Sequence, residues 1–243
     1  MKNKDIKWHV GSSGFHYREW KEIFYPKGLA SNKWFGFYRQ HFNTLESNVS
    51  FYRLPLLSTL LKWYDESDAE FSFCVKAPRI ITHYKKMQAV ADDLSVFYER
   101  IDKGLQEKLH CVLFQFPPTF ACSKENLEHI IAVLNPSFNN VVEFRHLSWW
   151  DETVYQQLHE NNITFCNMSH PKFPETFIHT SPILYFRFHG APEIYRSAYS
   201  HTYLDEIIKK VKVDKQIRSV YLYFNNTAGP AAIENVRYVM KSI

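Results

Sequence analysis

The chain has 243 residues, 45% hydrophobic and 22% charged, which supplies a sizeable core and excludes global disorder or a miniprotein dependent on disulfide staples. Twenty-nine Lys and Arg against 25 Asp and Glu give a net charge of +4, a mild basic bias short of a dedicated nucleic-acid domain and compatible with an anionic small substrate. Aromatic residues reach 17% (20 Phe, 15 Tyr, 6 Trp), an excess that must be housed, and seven Gly with 11 Pro exclude collagen-like or low-complexity architecture.

In chain order, the N-terminal run Met1 to Lys7 has no apolar segment of the secretory kind, and no apolar run reaches the ~20 residues that span a bilayer. A cytosolic location with no membrane partner is therefore expected. Short β-rich runs then recur at 8–12, 44–49, 71–76, 111–116, 141–146, 163–167, 183–189 and 220–225. Helical patterns fall between most of them, at 34–41, 56–64, 92–105, 123–134, 151–160, 203–211 and 230–241. Ser123 and Asp151 read as N-caps ahead of apolar stripes. From 167 to 183 the chain carries Pro171, Pro174 and Pro182 without a helical period, which predicts an irregular connection between strands 6 and 7. Four cysteines, Cys74, Cys111, Cys122 and Cys166, form no C-x-x-C pair and read as small hydrophobes in a reducing compartment.

Eight strands alternating with helices, with no linker-like break, predict an α/β fold: one TIM-like (β/α)8 barrel over residues 1–243. A doubly wound open sheet is the competitor, but Gly11-Ser12-Ser13-Gly14 is too short for a dinucleotide-binding glycine turn.

Alternate residues of a barrel strand face the barrel interior and the helix ring. One parity here is apolar: Leu45; Phe71, Phe73, Val75; Val112, Phe114, Phe116; Val142, Phe144; Leu184, Phe186, Phe188; Val220, Leu222, Phe224. The other collects Glu46 and Asn48, Lys76, Gln115, Glu143 and Arg145, Tyr185, Arg187 and His189, Tyr223 and Asn225. Apart from the tyrosines these lie towards the C-terminal strand ends, where barrel enzymes build their sites. A buried ion network that merely neutralises itself is the plainer explanation, but it is a poor source of stability because desolvation offsets the attraction.

Several ordered motifs resemble those of the domain of unknown function 72 family, the YecE-like proteins. They begin with Gly11-Ser12-Ser13-Gly14-Phe15-His16-Tyr17-x-x-Trp20 and Phe24-Tyr25-Pro26, then Glu46-x-Asn48-x-x-Phe51-Tyr52-Arg53-x-Pro55 and Phe73-x-x-Lys76. Gln115-Phe116-Pro117-Pro118, Val142-Glu143-Phe144-Arg145-His146-x-Ser148-Trp149, Arg187-Phe188-His189-Gly190 and Asn225-Asn226-Thr227-x-Gly229-x-Ala231 complete the set, spanning residues 11 to about 235. The resemblance implies a TIM-barrel-like fold with no established activity. Phe15 stands where Trp is usual, and Asn167-Met168 follows strand 6 where the family often carries an Asp.

Cations outnumber the two carboxylates at the proposed mouth, so an anionic group on the ligand is the natural counter-charge. Glu46 or Glu143 is a candidate general base, with Lys76 or His189 as acid or electrophile. Asn48, Gln115, Arg145, Arg187, Asn225 and Asn226 are candidate binding residues, and Tyr17, Trp20, Tyr52 and Trp149 are loop aromatics that could stack on a ring, although any one of them could equally plug its loop onto the barrel. No cofactor is expected, and a divalent metal held by Glu46, Glu143 and His189 is a minority option. The run His83-Tyr84-Lys85-Lys86 reads as a solvated loop able to touch phosphate. The expected function is a hydrolase, lyase or isomerase acting on a phosphorylated or carboxylated, sugar-like molecule. A nucleic-acid-binding or nucleic-acid-processing protein and a non-catalytic ligand- or partner-binding barrel are the alternatives.

Overall fold

The computed structural model describes residues 6–243; the N-terminal reading for targeting falls mostly on residues 1–5, outside them. Eight parallel strands pair in chain order and close on themselves: β1 (Lys7–Ser13), β2 (Thr44–Ser47), β3 (Ser72–Lys76), β4 (Leu109–Gln115), β5 (Asn140–Glu143), β6 (Thr164–Ser169), β7 (Ile183–Phe188) and β8 (Ser219–Phe224). Helices α1 (Trp34–Tyr38), α2 (Val49–Tyr52), α3 (Leu57–Glu66), α4 (Ala91–Leu105), α5 (Lys124–Val133), α6 (Glu152–Glu160), α7 (His201–Val213) and α8 (Ala231–Ser242) lie between or after them. This is the TIM-like barrel that the sequence predicts. No helix follows β6 before β7, so the irregular connection is present, with three prolines in it that cannot supply helical N–H donors.

Local chemistry sets the element ends. Ser123 Oγ accepts from the Asn126 N–H at 3.1 Å, and Asp151 accepts from the Thr153 N–H at 2.8 Å, so both predicted caps form. Helix α4 buries Leu94, Phe97, Tyr98, Ile101 and Leu105, a spacing that keeps one stripe on the core. Among the short elements that were not expected are α2 and a wide turn over Ile80–Tyr84 closed by the Lys85 N–H on the Ile80 carbonyl at 2.9 Å.

Packing divides the chain into two compact units. The first comprises residues up to 46, 167–177 and 182–243. Within it β1 pairs with β2 and β8, and β7 pairs with β8. Its inward residues form a ladder in which His9 stacks on Tyr221 (4.5 Å), Tyr185 contacts Tyr221 and Tyr223, and Thr44 bonds the Tyr223 hydroxyl at 2.6 Å. Gly11 lies where a Cβ would sit 2.2 Å from the Thr44 carbonyl oxygen, so only glycine lets β1 and β2 approach this closely.

The second unit comprises residues 47–166 and 178–181. Here β3, β4 and β5 pair in sequence, with Gln115 opposite Glu143 and Lys76 opposite Leu113. The outward parity packs on the helices and loops, as expected: Phe73 stacks on Trp63 of α3, and Phe116 on Phe144. Cys74, Cys111 and Cys166 are buried free thiols, whereas Cys122 is half-buried.

Candidate functional site at the C-terminal strand ends

The polar residues of each unit gather at the C-terminal ends of its strands, and the two sets are described separately. In the first unit, Arg187 of β7 donates to Glu46 of β2 at 2.7 Å, and the Tyr185 hydroxyl donates to the other carboxylate oxygen at 2.7 Å. Glu46, Arg187 and Tyr185 are all buried. A carboxylate that accepts from both a guanidinium and a phenol already has both of its oxygens engaged. Just beyond β7, His189 is fully buried; its Nδ1 lies 2.9 Å from Asn225 Nδ2, and its ring meets His170 edge-on at 5.6 Å. Asn226, in the loop after β8, donates to the Ser197 carbonyl of the loop after β7 and to Asn235 Oδ1 of α8, while its own Oδ1 is buried with no hydrogen-bond partner among the described residues.

Two expected aromatics of this unit have other duties. Trp20 is 0% exposed and its indole N–H reaches the Thr227 and Gly229 carbonyls at 3.2 and 3.1 Å, which makes it a plug rather than a stacking platform. The Tyr17 hydroxyl donates to the Ser13 carbonyl, and its half-buried ring lies against Trp20 at 4.9 Å. Burial explains both corrections: the loop after β1 folds back on the core and covers its own indole.

In the second unit three consecutive strand ends carry polar side chains. Lys76 ends β3 and donates to Gln115 Oε1, at the end of β4, at 2.7 Å. Its ammonium also sits 4.1 Å from the centre of the Phe51 ring. Glu143 ends β5, is fully buried, pairs with Arg145 and has the Cys166 thiol 3.9 Å from its other oxygen. Asn48 Oδ1 is buried with no hydrogen-bond partner among the described residues. Trp149 is the third correction: it is 0% exposed, lies flat on Phe144 at 3.9 Å and donates to the Phe120 carbonyl. Tyr52 is 72% exposed, beside the Arg79 guanidinium at 5.6 Å.

Sequence reasoning placed His83 in a solvated loop able to touch phosphate and gave it no role at the site. It sits on the wide turn after β3, half-buried, edge-on to Phe51 at 5.0 Å and with Nδ1 2.9 Å from Thr82 Oγ1. Burial, and then the charges of Lys76, Arg79 and Arg145, push its pKa down to about 4 against a weak opposing pull from Glu143. Its signal in sequence was only its place, seven residues beyond Lys76; the packing on Phe51, from a different loop, has no local signature.

Among the described residues no group of three or more His, Cys, Asp or Glu side chains is arranged to hold a metal ion, and no helix is long and apolar enough to cross a membrane.

A parallel eight-stranded barrel with its ionisable residues at the C-terminal strand ends defines the TIM-barrel class. The profile described as "Protein of unknown function DUF72" matches residues 9–243, and the chain belongs to that family. It is similar to the UPF0759 protein YunF of Bacillus subtilis, 25% identical over 89% of each chain. It also resembles UPF0759 protein YecE of Escherichia coli, 29% identical over 52% of this chain and 48% of that one. Among solved structures, a DUF72 family protein of Thermotoga maritima superposes with a TM-score of 0.86 at 29% identity, covering 97% of this chain and 98% of that one. A second, from Enterococcus faecalis, gives 0.81 at 21% identity over 96% and 94%.

Proposed function

We propose that the protein is an enzyme that acts on a small anionic molecule, phosphorylated or carboxylated and sugar-like, by acid–base chemistry at the ends of β3, β4 and β5. The observation that carries this reading is the grouping of Lys76, Gln115, Glu143 and Arg145 on three adjacent strand ends, with His83 packed on the same Phe51 ring as Lys76. Barrel enzymes place their reacting groups on this face.

Each group has a role set by its contacts. Arg145 offers a planar fork to a carboxylate or phosphate. An incoming anion competes with Glu143 for that fork, and as the guanidinium turns to the ligand Glu143 loses its counter-charge and becomes the stronger base. Lys76, aimed by Gln115 and Phe51, donates to the oxygen that gains charge when a proton leaves the neighbouring carbon. That is the step shared by isomerases and lyases. The buried acceptor of Asn48 suits a ligand hydroxyl.

A thermal-shift screen over phosphorylated sugars, nucleotides, carboxylates and divalent metals tests it. Stabilisation by an anionic, hydroxylated ligand, lost in Lys76→Ala, supports the reading; no stabilisation by any anion refutes it. One observation favours a second reading. Arg79 lies beside both Tyr52 (5.6 Å) and Tyr84 (5.4 Å), whose rings are 72% and 63% exposed, an arrangement suited to stacking bases of a single strand. Salt-sensitive binding of an oligonucleotide, abolished by Tyr52→Ala, would favour it.

A further inference from the structure

Histidine 83 and Lys76 pack on the same ring, Phe51, from two segments: Lys76 from the end of β3 and His83 from the wide turn that follows. Thr82 engages the His83 Nδ1, which leaves Nε2 with no hydrogen-bond partner among the described residues. The charged groups that act on the imidazole come from every element around it: Lys76 from β3, Arg79 from the segment after it, and Glu143 and Arg145 from the end of β5. Three cations and a single carboxylate make a field that repels a proton. We infer that a dianionic group of the phosphoryl or sulfate class, seated on Lys76 and Arg145, draws a proton onto His83 Nε2, so that the occupied site holds one more positive charge than the empty one.

The inference rests on the anion-site reading above and adds the ligand's charge class and its proton linkage. The physical argument is reciprocal. Without the ligand, burial first and then the three cations lower the His83 pKa to about 4. Two negative charges among those cations cancel their repulsion and add an attraction, so the protonated form gains relative to the neutral one. By linkage the protonated site must then bind the dianion more tightly, by about tenfold for each unit by which the ligand raises the His83 pKa. The step is a proton transfer: an N–H bond forms at Nε2 as an O–H bond breaks on a solvent hydronium ion, or on the ligand when a phosphate arrives as the monoanion and becomes the dianion. A monoanionic carboxylate supplies half the compensating charge, so it should move His83 less.

Sulfate is the probe, because its charge is fixed across the working pH range. The test is an NMR titration of the full chain with isotope-labelled histidine, with and without sulfate, the His83 resonance being the one absent in His83→Gln. We expect the His83 titration to move to higher pH when sulfate is present, and acetate to move it less. Sulfate affinity should rise as pH falls in the wild type and stay flat in His83→Gln, which still binds. Binding of sulfate with an unmoved His83 overturns the proton linkage and leaves the anion site standing. Failure of sulfate to bind at tens of millimolar and low ionic strength overturns both. If His83→Gln does not fold, His83→Asn assigns the resonance by its absence, and the wild-type comparison with and without sulfate then decides.

Discussion

Arg187 and Glu46 form a buried ion pair at 2.7 Å in which Tyr185 completes the carboxylate's hydrogen bonding. Removing one member leaves an uncompensated buried charge, so Arg187→Met should lose about 3–5 kcal/mol of stability. The double variant Glu46→Gln/Arg187→Met removes both charges and should recover most of that loss. Urea denaturation of the three proteins checks it, and equal losses in the single and double variants would contradict the pairing.

Glu143 and Arg145 form the corresponding pair in the second unit, but Arg145 keeps some exposure, 11% of its side chain. Glu143→Gln removes the counter-charge of a guanidinium that an anion can reach. Anion affinity, read by calorimetry with sulfate, should rise in that variant while turnover of any substrate found by the screen disappears. Weaker anion binding would show that Glu143 orients Arg145 instead of competing for it.

Trp149 lies parallel to Phe144 with ring centres 3.9 Å apart and its N–H on the Phe120 carbonyl. Trp149→Ala should cost about 3–5 kcal/mol in chemical denaturation, as a large aromatic lost from a packed site. Trp149→Phe keeps the ring stack and should cost less.

Gly11→Ala places a methyl 2.2 Å from a backbone carbonyl that cannot turn away. The two strands must separate, and a loss of about 1–3 kcal/mol or more is expected from overpacking alone. Thermal unfolding of the soluble fraction measures it.

Stability should also fall at both pH extremes, for opposite reasons. His83 is held at about 4 in the native protein against 6.5 for the free side chain, so below pH 6.5 the unfolded chain binds the extra proton first. Its contribution is therefore present above pH 6.5 and lost as pH falls towards 4; His83→Gln should flatten that limb. Burial raises the Tyr199 pKa to about 12 and lifts Tyr38 and Tyr98 further. Unfolded tyrosines ionise near pH 10, so the native state keeps protons that the unfolded state has lost, and stability drops as pH climbs past 10. Unfolding midpoints measured across pH 4 to 12 trace both limbs.

Much of the barrel was legible because strand periodicity is strict. Phe73 stacks on Trp63 as its parity requires, and Lys76, Gln115 and Glu143 end adjacent strands as theirs predicts. What periodicity does not encode is how a loop returns to the core. Trp20 and Trp149 look like mouth aromatics in sequence, and only the carbonyls they reach, at Thr227, Gly229 and Phe120, reveal them as plugs. The partition of charges was hidden for the same reason: Glu46 and Glu143 carry the same parity, yet one is engaged by an arginine and a tyrosine and the other by an arginine with partial exposure. His83 lay in a run whose polarity resembles any solvated loop, and what lowers its pKa is burial first and then the charges of Lys76, Arg79 and Arg145, none of which the run itself encodes.

The Trp20 indole has a consequence for how the chain is made. Its acceptors, Thr227 and Gly229, follow it by 207 and 209 residues. At a synthesis rate of ~5–20 residues per second, a nascent chain carries that tryptophan without its final partners for about 10–40 s. The stretch 47–166 forms a compact unit of its own and emerges whole within that interval, whereas the first unit is assembled from both ends of the chain. Synthesis therefore completes the segments of the second unit before the acceptors of Trp20, which lie just beyond β8, have been made.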